Sequence, residues 1–269
     1  MKRIKNSLLL ILLFRLKSCS IFKVSKTQDG IKVQTGILER IKSVQERISD
    51  ACLRSRRDPE SVQILAVSKT KPAEMVVEAF QAGLRDFGEN RFQETPGKIQ
   101  QVAKLLAKQN SQLRWHFIGH LQSNKVRKVL EYFTRIQSLD SEKLIQQVDR
   151  IAGEMGLRVE GMLQVNVSGS PTQFGFAPHQ ISSVLEKTAS CKHLFITGLM
   201  AIGPNTTNEY LIRRAFERIR LEAERIDRQT IPNVKIAALS MGMSGDFEIA
   251  IEEGATMVRL GTVIFGERN

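Results

Sequence analysis

Lys69 closes an apolar run, Ile64-Leu65-Ala66-Val67, with Ser68 just before it. A lysine at the end of a buried strand stands in partly dry surroundings. Desolvation disfavours the ammonium, lowers its pKa and leaves an amine nucleophilic enough to condense with an aldehyde. The same position also suits an ordinary surface lysine opening a loop, as Lys71 shows two residues on. A second kind of chemistry is offered by the stretch from Ser240 to Glu248, SMGMSGDFE. Gly242 and Gly245 permit close approach to the backbone, and Ser244 is placed to cap a helix beginning near Asp246. The free N–H groups of such a helix start form an anion site. Arg259-Leu260-Gly261-Thr262 adds another turn and another hydroxyl. Taken singly, each is also a routine glycine turn. Together with Lys69 they describe an amine that traps a carbonyl beside turns that hold a phosphate.

Arg259 lies among Met257, Val258 and Leu260. A guanidinium is costly to bury without a partner, so it must face an acceptor. A pyridine-type ring nitrogen would serve, and so would Glu89 or Asp140 in a structural ion pair. His116 and His120 are four apart with Phe-Ile-Gly between them, which is no zinc-protease pattern. Each reads more simply as a hydrogen-bonded wall residue than as a catalytic base. No metal site is expected.

The elements that must position these groups alternate between two periods. Helical spacing appears at Ile99, Val102, Leu105 and Leu106, at Leu144, Ile145, Val148 and Ile151, and at Ile181, Val184 and Leu185. It returns at Ile212, Ala215, Phe216, Ile219 and Ile226. Between such stretches lie short runs of strand length at 63–69, 86–90, 114–119, 135–140, 160–167, 196–202, 236–243 and 257–260. Continuous apolar strands separated by helices imply a parallel sheet covered by helices. Eight such units without a linker predict an α/β fold, a single closed (β/α)8 TIM barrel. A helix over 37–56 precedes the first strand and either plugs the barrel floor or packs outside. In this architecture reacting groups gather at the C-terminal ends of the strands. The polar residues do collect there: Ser68-Lys69-Thr70, Glu89-Asn90, His120, Asp140, Asn166 with Ser168, Ser244, and Arg259-Gly261-Thr262.

Composition excludes several classes. The chain has 269 residues, 42% hydrophobic and 25% charged, enough apolar mass for one large core. Its formal charge of +12 suggests nucleic acid. Seven of those charges, however, come from Lys2, Arg3, Lys5, Arg15, Lys17, Lys23 and Lys26, ahead of the first acidic residue, Asp29. The body is therefore only mildly basic. Basic faces such as Lys125, Arg127 and Lys128 carry no interleaved aromatics for base stacking, so nucleic acid is not an expected partner. Cys19, Cys52 and Cys191 have no metal or redox spacing, which suits a reducing, cytoplasmic compartment. Leu8 to Phe14 is too short to span a bilayer, and no membrane is expected. The basic start superficially resembles a signal peptide, with Leu-Lys-Ser-Cys at 16–19 a poor lipobox, and the lack of acids resembles a transit peptide. The reading adopted is a disordered tail or an upstream start-site artefact. Residues 1–30 are kept out of the fold, leaving 31–269 as the barrel.

At these residues the chain closely resembles the YggS/PROSC family of pyridoxal phosphate homeostasis proteins, which share the barrel of the alanine racemase N-terminal domain. The stretches that carry the resemblance are LAVSKTKP (65–72), FGENRFQE (87–94), WHFIGHLQSNK (115–125), GLMAIG (198–203), LSMGMSGDFE (239–248) and VRLGTVIFGER (258–268). They run in order over roughly residues 37–269. The resemblance implies pyridoxal 5'-phosphate (PLP) held as a Schiff base on Lys69, with Ser244, Gly261 and Thr262 holding its phosphate. It further implies Arg259 at the pyridine nitrogen and Asn90 near the ring. An Arg there cannot accept the ring's proton, so the ring is a poorer electron sink. The chain departs from the family in the loop 166–175, NVSGSPTQFG, where many members carry a Lys and this chain has Gln173. The function implied is a monomeric, non-catalytic carrier that buffers PLP or delivers it to apoenzymes. A PLP-dependent amino-acid racemase is the alternative. Racemization needs an acid and a base on opposite faces of the substrate carbon. One of these is a tyrosine from a second domain in the racemases that the barrel resembles; here Tyr132 and Tyr210 fall in helical segments and the chain ends just after the eighth strand. A class I aldolase would place its Schiff-base lysine on another strand.

Overall fold

A computed structural model of the chain describes residues 23–27, 30–34 and 36–267. Lys23–Thr27 and Gly30–Gln34 pair antiparallel in a two-stranded ribbon separate from the main sheet. The sequence shows no strand signal there, and the expected boundary at residue 30 falls inside this ribbon. Residues 1–22, on which the tail reading mainly falls, lie outside the described residues.

The eight expected strands are all present. They are β1 (Gln63–Val67), β2 (Asp86–Glu89), β3 (Arg114–Phe117), β4 (Arg135–Leu139), β5 (Val159–Val165), β6 (Leu194–Ala201), β7 (Val234–Ser240) and β8 (Met257–Leu260). Every pairing is parallel, and β8 bonds back onto β1 to close the barrel. The chain leaves β1 earlier than its apolar run suggests. Lys71 N donates to Ser68 O at 3.0 Å, so Ser68 and Lys69 belong to a turn instead of the ladder.

Strand alternation sorts the apolar residues into two layers. Leu65, Met162, Met200 and Met257 meet inside the barrel with Ile118, Ile202 and Ala238. The larger cluster fills the space between strands and helices, where Phe87, Phe117, Phe133, Phe216 and Phe247 are fully buried. Helix α1 (Ile37–Arg54) buries Ile37, Ile41, Val44, Ile48, Ala51 and Cys52, a stripe with steps of three and four. It packs outside the barrel. Arg47 and Arg54 pair with Glu248 and Glu252 at 2.7 and 2.6 Å, and Arg40 Nε donates to Ile264 O. Both partner elements follow barrel strands, so α1 braces the outside of the segments after β7 and β8. Among the described residues no helix is long and apolar enough to cross a membrane.

Candidate functional site

Lys69 lies two residues beyond β1, half-buried. It stands on the turn that leaves the C-terminal end of β1, at the rim of the barrel. Its turn is tightly specified. Ser68 N donates to Gly88 O at 3.1 Å, and Thr70 adopts φ 63°, a left-handed conformation unfavourable for a β-branched residue. Behind the wall, Glu89 Oε1 accepts from Ser68 Oγ at 2.7 Å and from Lys98 Nζ at 2.8 Å. Lys98 Nζ also donates to Ser68 O at 2.8 Å. The carbonyl that precedes Lys69 is thus held by two donors, Lys71 N and Lys98 Nζ. Glu89 therefore faces the helix layer and not the mouth, contrary to its place among the expected mouth residues.

The neighbouring strands bring the anion-holding candidates alongside. Leu260 pairs with Ala66, and a Cβ on Gly261 would lie 3.4 Å from Val67 O. Gly261 and Thr262 therefore stand beside the Lys69 turn. Gly261 opens the helical turn Thr262–Phe265, whose first N–H groups have no carbonyl within the turn to bond. Ser244 follows β7, one strand further round. It does not cap the next helix, Phe247–Glu252, as its position suggested. Asp246 is the N-cap residue, and its carboxylate accepts from Met243 N at 2.6 Å. That bond closes the loop on itself and leaves the Ser244 hydroxyl, like that of Thr262, without a hydrogen-bond partner among the described residues. Beside this loop a cavity of about 670 Å³ is lined by Gly203, Asn205, Met243, Gly245 and Asp246. Burial raises the Asp246 carboxyl pKa, against the pull of the Met243 N–H and Arg259.

Arg259 is 5% exposed and makes no ion pair with Glu89 or Asp140. Its Nη1 donates to Ser240 O and, at 3.1 Å, to Ser240 Oγ, and its Nη2 donates to Ala201 O at 2.7 Å. The acceptors are carbonyls and a hydroxyl of β6 and β7, which sequence reasoning did not foresee. Burial lowers its pKa to about 10, with Asp246 acting in the opposite direction.

Asn90 follows β2, and its Oδ1 is buried with no hydrogen bond among the described residues. Its main chain presses on the next strand end, where a Cβ on Gly119 would meet Asn90 O at 2.2 Å. Beyond it, His120 Nδ1 bonds Asp140 Oδ2 at 2.8 Å, and the imidazole stacks on Phe174 at 3.8 Å between centroids. His120 is thus a wall residue, as expected, and it supports the loop after β5. Gln173 holds that loop twice: Oε1 accepts from Ser168 Oγ at 2.6 Å, and Nε2 donates to Ile202 O at 3.2 Å. In running order round the mouth stand Ser244, Arg259 with Gly261 and Thr262, Lys69, and Asn90, on the consecutive strands β7, β8, β1 and β2.

The described geometry has counterparts among known proteins. The sequence profile of the alanine racemase N-terminal domain matches residues 45–269. The "Pyridoxal phosphate homeostasis protein" of Pseudomonas aeruginosa is 44% identical over 87% of this chain and 96% of its own length. The protein of the same name from Aquifex aeolicus is 39% identical over 86% and 97%. Among solved structures, PipY of Synechococcus elongatus, described with PLP bound, is 40% identical with a TM-score of 0.73, covering 86% of this chain and all of that one. An alanine racemase of Clostridium difficile shares the fold at 14% identity, with a TM-score of 0.66 over 86% of this chain and 60% of its own. A closed parallel barrel, a mouth lysine and this degree of likeness over almost the whole length of the relatives lead to one conclusion: the chain belongs to the family of pyridoxal phosphate homeostasis proteins built on the alanine racemase N-terminal domain.

Proposed function

We propose that this protein binds pyridoxal 5'-phosphate at the barrel mouth and serves its homeostasis, buffering the cofactor or delivering it to PLP-dependent apoenzymes. The observation that carries the reading is the convergence on β7, β8 and β1 of two unpartnered hydroxyls, a buried guanidinium and Lys69. That donor set fits the group. Ser244, Thr262 and the Gly261 main chain would take the phosphate, and the orphaned Oδ1 of Asn90 would lie near the ring. Arg259 would approach the pyridine nitrogen; a guanidinium only donates, so the ring nitrogen stays unprotonated there. When bound, the cofactor supplies an aldehyde, and the Lys69 amine condenses with its carbon with loss of one water. A cofactor so held is kept from other amines.

In this reading the protein has no robust turnover of free amino acids. Its support is that the relatives are named as homeostasis proteins. It acts as a monomer in the cytoplasm; Cys52 and Cys191, both buried and unpaired, fit a reducing compartment.

The test is chemical. Protein incubated with PLP should be yellow, and borohydride should fix the cofactor on the peptide that contains Lys69. An adduct on another lysine, or none, would overturn the site. A coupled assay giving turnover of about 1 per second or more, the ordinary enzyme range, would overturn the carrier reading and return the racemase.

A further inference from the structure

A line of polar side chains crosses the barrel interior beside the apolar cluster of Leu65, Met162, Met200 and Met257. It begins at the floor, where Arg114 and Asp86 open β3 and β2. Arg114 Nε donates to Asp86 Oδ1 at 2.7 Å, and Gln63 Nε2 donates to Asp86 Oδ2 at 2.8 Å. His116 Nε2 lies 3.0 Å from Asp86 Oδ1, and His116 Nδ1 lies 3.0 Å from Gln137 Nε2. Gln137 Oε1 accepts from Ser240 Oγ at 2.7 Å, and Ser240 Oγ accepts from Arg259 Nη1 at 3.1 Å. Asp86, His116, Gln137, Ser240 and Arg259 are all buried.

The direction of every link follows from its two ends. Arg259 can only donate, and an ionised Asp86 can only accept. Burial pushes the Asp86 carboxyl upward, yet the Arg114 and His116 hydrogen bonds outweigh it and hold the pKa at about 2. Burial lowers the His116 pKa against the pull of Asp86, so the imidazole is neutral. With its one proton on Nε2 toward Asp86, Nδ1 is left as an acceptor, and Gln137 must turn its NH2 to it. The second amide hydrogen goes to Met257 Sδ at 3.1 Å. The Gln137 oxygen then faces Ser240, whose hydroxyl proton is committed to it. The Ser240 lone pairs are free only for Arg259. Each group has one orientation that satisfies both neighbours, so the whole line is ordered in one sense.

From this we infer that Ser240, Gln137, His116 and Asp86 are positioning residues that lock the Arg259 guanidinium beneath the mouth through a single directed hydrogen-bond chain. The Ser240 and Ala201 carbonyls are barrel backbone and fixed, so the Ser240 hydroxyl is the one acceptor of Arg259 whose direction depends on other side chains. The chain ties its orientation to a carboxylate at the opposite end of the barrel. The inference rests on the reading of the mouth as the PLP site, and it adds residues that touch neither phosphate nor amine.

The experiment compares Ser240→Ala with Ser240→Thr, using PLP as the probe on the full chain. Removing the hydroxyl should weaken PLP binding about tenfold, the scale of one hydrogen bond to a charged group. It should also shift the visible absorption band of the bound cofactor, a signature that a role in packing alone would not move. Threonine keeps the hydroxyl and should restore both. A Ser240→Ala protein with the wild-type band and affinity would overturn the relay. Independently of either variant's folding, nitrogen NMR of the unsubstituted protein at neutral pH should show His116 neutral with its proton on Nε2. A proton on Nδ1, or a charged ring, would overturn it. If the wild-type chain takes up no PLP, the site reading fails, and the His116 tautomer still decides the chain.

Discussion

Lys98 and Glu89 form an ion pair with side chains only 8% and 0% exposed. Taking two charges out of water costs several kcal/mol each, and here the geometry recovers that cost by involving a third group. Lys98 Nζ and the Ser68 hydroxyl share Glu89 Oε1, while Oε2 has no partner among the described residues. The pair is therefore poised against loss of either member. Lys98→Met should leave a buried carboxylate with only a serine hydroxyl for company and lower stability by about 3 to 5 kcal/mol, read by denaturant unfolding. Because Lys98 also holds Ser68 O, the variant should in addition bind PLP more weakly. A variant as stable as the wild type would show that Glu89 finds another donor.

At the scale of elements, the mouth depends on how closely successive βα turns approach each other. Gly119 ends the segment after β3 directly against Asn90, and a methyl there would meet Asn90 O and C at 2.2 and 2.8 Å. Those atoms are backbone and cannot rotate away. Gly119→Ala should therefore displace the Asn90 turn, at a cost on the order of 1 to 3 kcal/mol for overpacking, and weaken PLP binding in proportion to the displacement. The check is paired: the melting temperature and the PLP affinity should fall together. An unaltered affinity would mean that Asn90 does not approach the ring. Opposite this turn, Gln173 ties the loop after β5 to Ser168 and to the end of β6. A lysine at this position could donate to Ile202 O but could not accept from Ser168. Gln173 thus has a structural role in this chain.

For the whole molecule, the interior chain makes stability a function of pH. The Asp86 pKa of about 2 lies below the ordinary aspartate value of about 3.9, so the unfolded state binds more protons between these limits. The Asp86 contribution, about 2 to 3 kcal/mol, is complete above roughly pH 5 and is lost as pH falls through about 2. His116 acts with the same sign. Its pKa is lowered by burial, so the unfolded imidazole takes up a proton first, and stability declines as pH falls below its unfolded value of about 6.5. The melting temperature should be highest at neutral pH and fall in two stages on acidification. In His116→Gln the upper stage should vanish and the lower one remain. A wild-type melting temperature unchanged between pH 7 and 5 would show that His116 takes up its proton equally in the folded and unfolded states, and one that rises on acidification would show that the folded barrel holds it charged.

Local pattern alone determined the eight strands and the helices between them. A strand buried on both faces reads as an apolar run and a covering helix as a stripe, and neither needs a distant partner to be recognised. The motifs likewise placed Lys69, Ser244, Gly261 and Thr262 at strand ends, because the chain order of a parallel barrel puts every such end on one rim. The rest was decided by closure. Whether Glu89 faced the mouth or the helices depended on Lys98 standing behind it. The acceptors of Arg259 come from β6 and β7, and Gln137 meets Ser240 across 103 residues of chain. The helix after β7 starts at Asp246, not at Ser244, and the Asp246 carboxylate turns back to Met243 N instead of capping it. Spacing along a sequence carries no record of contacts between residues so far apart. They exist only once β8 has bonded to β1 and the interior polar groups have had to find one another in the absence of water.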